Sequence, residues 1–164
     1  MSNILLFGGT DSFGIPNVVQ SWVQEYSKQD GVNFIVGDKN GIDSSFHKLL
    51  GATGSLKKSK LYCMDTPKNN KYELDIVPFT TSYNSDTKTA TIINSLTNTI
   101  ESEITSIDKA DDIQYNRDWY SFIDKKLIDD CVMALCVWDG QNKRVFHMIQ
   151  LLNILNKPCY SFTL

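Results

Sequence analysis

Apolar residues recur along this chain with two periods, and the alternation between them predicts its architecture. Ile4 to Phe7 is a continuous apolar run of strand length. Val18, Val19, Trp22, Val23 and Tyr26 then follow at spacings of three and four, which places them on one face of a helix. Pro16 stands where that helix begins, because its fixed φ suits a first turn, and Gly31 closes the segment. Val32 to Val36 repeats the strand pattern, the Phe46, Leu49 and Leu50 stripe marks a second helix, and Lys60 to Met64 reads as a third strand. The order βαβαβ demands parallel strands joined by right-handed crossovers. Regularity returns with a helix over Trp119 to Asp130, an apolar strand over Val132 to Val137, a helix over Phe146 to Leu155 and a last strand over Cys159 to Phe162. Uninterrupted apolar strands belong to sheets covered on both faces. The expected fold is therefore α/β: a Rossmann-like, doubly wound parallel sheet of about five strands in a single domain over 1–164.

Between residues 65 and 116 the pattern blurs. Pro67 and Pro78, many Asn, Thr and Ser residues, and the β-branched run from Thr89 to Ile93 interrupt any helical period. The segment reads as an insertion between strands 3 and 4, with a hairpin around Asn84-Ser85-Asp86 and a short helix near Ile100 to Ile107. An ordered excursion of this kind suits a lid or a subunit contact. Helical faces rich in aromatics, with Trp22, Tyr26, Trp119 and Phe122, add the expectation of a homo-oligomer.

Composition narrows the function classes. A chain of 164 residues buries roughly 70% of its extended surface, enough for one sizeable core. A net charge of −3 with scattered lysines argues against a protein that coats nucleic acid, whose phosphate contacts need surplus Lys and Arg. The short Lys57-Lys58-Ser59-Lys60 cluster reads as a solvated loop. Met1-Ser2-Asn3 leads into a strand without a basic leader or cleavage site, and no apolar run approaches the roughly 18 residues of a membrane span. The expectation is a cytoplasmic protein with no membrane partner. Cys63, Cys131, Cys136 and Cys159 lack C-x-x-C pairing and read as small core residues. His47 and His147 have no carboxylate or cysteine at ligand spacing, so no metal or other cofactor is expected.

Three strand-to-loop-to-helix junctions carry the candidate chemistry: Leu5 to Gly14, including Gly8, Gly9 and Thr10; Val36 to Asp43, including Asp38 and Gly41; and Leu135 to Asn142, including Trp138, Asp139 and Gly140. Helix starts favour anions, because their first N–H groups lack intrahelical acceptors and the macrodipole is positive there. Ligands of such sheets bind beyond the carboxyl ends of the strands. Gly8, Gly9 and Gly14 do not have the G-x-G-x-x-G spacing of dinucleotide sites, which disfavours NAD-dependent redox chemistry. Asp38 is placed to accept a ribose hydroxyl. Asp43, in a first helical turn, is a ligand group or simply a cap. Arg144 is placed to meet an anion with a bidentate guanidinium, and Trp138 or Phe13 to stack on a base. Ser12, Ser44 and Ser45 lie in such loops, yet no G-x-S-x-G elbow surrounds them, which sets an acyl-transfer triad aside.

Val36-Gly37-Asp38-Lys39-Asn40-Gly41-Ile42-Asp43, followed by Phe46-His47-Lys48, resembles the G-x-x-x-G-x-D segment of the SLOG superfamily, a Rossmann-like group that includes LOG-type nucleotide phosphoribohydrolases, DprA-like proteins and stand-alone ligand-binding domains. Trp119 to Asp124, the strand ending Trp138-Asp139-Gly140, and the final strand after Asn156-Lys157-Pro158 are similar to phage and bacterial members. The resemblance spans roughly residues 3–64 and 117–164. It implies a pocket for a nucleotide or a sugar-phosphate derivative, lined by the loops at Gly8-Gly9, Asp38 to Asp43 and Asp139-Gly140. Two departures stand out. The P-G-G-x-G-T-x-x-E signature of the enzymatic members is absent, and Arg144-Val145 replaces a Gly-Thr pair. The leading expectation is a protein that binds a nucleotide or a nucleotide-derived signal of the ADP-ribose type. One alternative is N-glycosidic hydrolysis with Asp43 or Asp124 as the catalytic carboxylate. The other is an interaction module acting through the 65–116 insertion.

Overall fold

A computed structural model describes residues 2–10, 14–106 and 121–164. In chain order these form β1 (Ser2–Gly8), α1 (Asn17–Ser27), β2 (Val32–Val36), α2 (Ile42–Ala52), β3 (Ser59–Met64), β4 (Asp75–Asn84), β5 (Thr89–Asn94), β6 (Thr99–Ile104), α3 (Phe122–Asp130), β7 (Met133–Trp138), α4 (Lys143–Ile154) and β8 (Cys159–Thr163). All eight strands join one sheet in the order β6-β5-β4-β3-β2-β1-β7-β8. The six strands from β4 to β8 in that order run parallel, while β5 and β6 continue the sheet antiparallel. The result is a mixed α/β fold with a mostly parallel sheet, consistent with a Rossmann-like arrangement.

The apolar runs have a simple physical cause. In β1, Leu5 and Phe7 point to the face packed by Leu127 of α3 and Met148 of α4, and Ile4 and Leu6 point to the face packed by Val19 of α1 and Phe46 of α2. A strand whose two faces are both buried must be apolar at every position. Four consecutive side chains of β1 are accordingly at most 2% exposed.

Two expectations require correction. The sheet has eight strands rather than about five, because much of the 65–116 segment is built into it. β4 pairs with β3 from Lys60↔Asp75 to Met64↔Phe79, and Phe79 and Ile92 are fully buried against the α3 side of the sheet. The hairpin around Asn84-Ser85-Asp86 is present and joins β4 to β5. The short helix expected near Ile100 to Ile107 is instead β6 over Thr99–Ile104, and residues 107 onward to 120 lie outside the described residues. Ile100 and Ile104 are four apart, a spacing that fits both a helical face and alternate positions of a strand. Pairing of β6 with β5 decides between them.

The aromatics that suggested a homo-oligomer are partly engaged within the chain. Trp22 packs edge-on against Tyr160 with ring centroids 6.3 Å apart, and Phe122 packs against Phe79 at 5.5 Å. Trp119 lies outside the described residues. All four cysteines are free thiols, with Cys63, Cys131 and Cys136 buried in the core. Among the described residues no helix is long and apolar enough to cross a membrane.

Candidate functional site

A cavity of about 270 Å³ opens at the carboxyl ends of β2 and β3, beside the start of α3. Its walls are the Gly37–Lys39 loop after β2, the Met64–Thr66 loop with Lys68 after β3, and Ser121–Asp124 leading into α3, with Asp43 of α2 facing it from within. Asp65, Thr66 and Lys68 are exposed, Asp38 and Lys39 half-buried, and Asp43 and Asp124 buried. The cavity therefore runs from a mixed-charge rim to two buried carboxylates.

Glycines allow the elements to converge here. Gly41 precedes α2 with φ +88 and ψ −126, a conformation closed to most L-residues. The helix then starts at Ile42, whose N–H donates to the Gly9 carbonyl at 3.1 Å. At Gly8 an added Cβ would sit 2.0 Å from the Val137 oxygen and 2.4 Å from Ile42 Cγ2, so only glycine lets β1, β7 and α2 meet. Gly37 faces Asp43 in the same way, since a Cβ there would lie 2.9 Å from Oδ2. One turn along α2, His47 donates from Nε2 to the Gly37 carbonyl at 2.8 Å and fixes the loop; burial holds its pKa low, which favours the neutral ring. Asp38 accepts the Lys68 backbone N–H at 2.8 Å and ties the β2 and β3 loops together.

The two buried carboxylates are treated very differently. Asp124 is 2% exposed and paired with Arg144, which donates from Nε to Oδ2 at 2.8 Å and from Nη2 to Oδ1 at 2.7 Å. Arg144 also donates from Nη1 to the Gly8 carbonyl at 3.2 Å. Asp124 further accepts the Ser121 N–H at 3.0 Å while Ser121 Oγ accepts the Asp124 N–H at 3.2 Å, a reciprocal cap on α3. Burial alone would push the Asp124 carboxyl up, but the hydrogen bonds and charge of Arg144 outweigh it and hold it below the usual carboxylate range. Asp43 has no such bidentate partner. Neither of its buried oxygens is paired with a side chain, the Lys39 backbone N–H being the donor that lies near enough to favour the ionised form, and it does not cap its helix. Burial, reinforced by the charge of Asp124 and only partly offset by Arg144 and Lys39, pushes its pKa up to about 6. A carboxyl in that range takes up and releases protons near neutral pH.

Of the residues singled out from the sequence, Asp38, Asp43 and Asp124 are brought to one cavity. Gly8, Gly9 and Gly41 shape the approach of β1 and α2 and do not line it. Thr10 is exposed beside that approach, and Phe13 and Ser12 lie outside the described residues. Asp139 accepts the Gln141 and Asn142 N–H groups at 2.8 and 3.2 Å in a local turn, followed by Gly140 at φ +82. Trp138 is half-buried and packs on the α3 and α4 side of the sheet rather than into the cavity. Arg144 is engaged internally with Asp124. The sequence reading missed Lys39, Lys68 and Ser121. Ser121-Phe122-Ile123-Asp124 carries the S-x-x-D spacing of a capping box and was findable, whereas Lys68 enters only through the course of the loop after β3.

No protein-family model, curated protein or solved structure matches the chain.

Proposed function

We propose that this cavity binds a nucleotide-type or nucleotide-derived ligand, with sugar hydroxyls donating to Asp43. The carrying observation is Asp43 itself: a buried carboxylate that lines a cavity with neither oxygen paired to a side chain. An unpaired buried acceptor costs stability and leaves room for a donor from outside the chain. Lys39 and Lys68 at the half-buried and exposed wall suit an anionic group at the outer end of the same ligand. Ligand pockets typically measure roughly 300–1,000 Å³, so about 270 Å³ suits one nucleoside-sized moiety, with the rest of an ADP-ribose-type molecule lying outside. The SLOG-like segment from Val36 to Asp43 supports the same ligand class.

A second reading is favoured by the pKa of Asp43 near 6. In N-glycosidic hydrolysis the protonated carboxyl of Asp43 would give its proton to the departing base as the C1′–N bond breaks. Water would add to C1′ and lose a proton to solvent. Asp124, held by Arg144 and Ser121, serves as structure in this scheme.

Native mass spectrometry with adenosine, AMP, ribose 5-phosphate, NAD and ADP-ribose tests both. The expected result is an added mass with one or more of them that Asp43→Asn loses and Asp139→Asn keeps. Release of free base and a ribose product would select the hydrolytic reading, with a rate that declines as pH rises past about 6. Undiminished binding by Asp43→Asn overturns both.

A further inference from the structure

Resting on the cavity as a ligand site, we propose that Arg144 is a positioning residue that divides two neighbouring buried carboxylates into a structural one, Asp124, and a ligand-facing one, Asp43. The geometry supports this division. Arg144 reaches from α4 with Nε and Nη2 on Asp124 of α3, and its Nη1 is taken by the Gly8 carbonyl at the end of β1. Its side chain is only 15% exposed, so solvent does little to screen it. Three elements are thereby joined by one guanidinium, and its planar fork is spent on Asp124. Asp43, which faces the same charges, is left without a side-chain donor.

The charged groups acting on Asp43 come from three directions, Arg144 on α4, Asp124 on α3 and Lys39 on the loop after β2, while Cys136 on β7 is a neutral thiol that the Asp43 charge pushes up in turn. Of these, Arg144 exerts the strongest pull toward the ionised form, and Asp124 opposes it. Removing the guanidinium would strip Asp124 of its cationic partner and leave two carboxylates facing one buried site. Two such groups share a proton and titrate as a pair. Neither would then be reserved for the ligand.

The test is a carbon-13 NMR titration of the Asp carboxyls in wild type, Arg144→Lys and Arg144→Met. In wild type Asp43 should titrate with a midpoint about 6 while Asp124 stays ionised into acid. In Arg144→Met the Asp43 midpoint should rise by about 1–3 pH units, the effect expected from losing an adjacent opposite charge, and Asp124 should begin to titrate with it. Arg144→Lys keeps the charge and should return Asp43 most of the way. A folded Arg144→Met in which both carboxyls titrate as in wild type overturns the proposal. Should that variant fail to fold, Asp124→Asn/Arg144→Met removes both buried charges together. There the Asp43 midpoint should still rise, because Arg144 outweighs Asp124, and an unchanged or lowered midpoint overturns the proposal. The titration needs no ligand, so a cavity that accepts none of the nucleotide probes would sink the ligand reading while leaving the role of Arg144 to be judged by the titration alone.

Discussion

At the scale of single residues, the chain places several side chains where no alternative fits, and the reason differs at each. Gly8 is fixed by crowding, since its missing Cβ would overlap the Val137 carbonyl and Ile42. Gly8→Ala should therefore destabilise the protein toward the upper end of the roughly 1–3 kcal/mol typical of overpacking, read by urea denaturation. Gly14, by contrast, has open space around it. An equal loss from Gly14→Ala would show that crowding is not the cause. Both glycines were visible in the sequence as one loop. Which of them mattered for packing was not, because that depends on β7 and α2, more than a hundred and about thirty positions away. Arg144 makes the same point: its charge and bidentate reach were legible, and its partner Asp124, twenty residues upstream, was not.

Among the elements, the strands buried on both faces and the amphipathic helices were legible because their patterns are local. α3 is a useful case. Its start is set by the Ser121–Asp124 reciprocal cap, whose spacing is written in the sequence. Ser121→Ala should cost about 0.5–2 kcal/mol, measured by thermal or urea unfolding. It should also loosen Asp124, which loses the capping geometry that helps to orient it toward Arg144. A variant as stable as wild type would mean that Arg144 alone fixes the start of α3. The joining of the β4–β5 hairpin to the main sheet and the strand β6 were not legible. Pro78 lies within β4 and Glu101 and Glu103 within β6, residues that weaken a strand reading, and only pairing with β3 and β5 makes strands of these segments.

For the molecule as a whole, the two buried carboxylates give stability a defined pH dependence. Asp43 has a folded pKa of about 6, above its ordinary 3.8, so its contribution is fully present below pH 3.8 and is lost as pH rises through 6. The loss amounts to roughly 3 kcal/mol. Asp124 has a lowered folded pKa, so its contribution is present above pH 3.8 and is lost as pH falls through the folded value. Together they place the stability maximum set by these groups near pH 4, where Asp43 is still protonated in the folded chain and Asp124 is ionised. Urea unfolding at pH 4 and at pH 7.5 should show Asp43→Asn gaining on wild type by up to roughly 3 kcal/mol over that interval. A gap that does not change with pH would mean that Asp43 is not carried as a buried, unpaired acid. The sequence by itself determined the α/β class, the parallel βαβ units and the carboxylates available near helix starts, because hydrophobic period and capping chemistry act over a few neighbouring residues. Only the tertiary structure decided that the described strands number eight in one sheet, that Arg144 faces inward to Asp124, and that of these two buried carboxylates Asp43 is the one without a cationic partner. Pairing, burial and charge compensation join positions far apart in the chain, and their energies exist only once the sheet has brought those positions together.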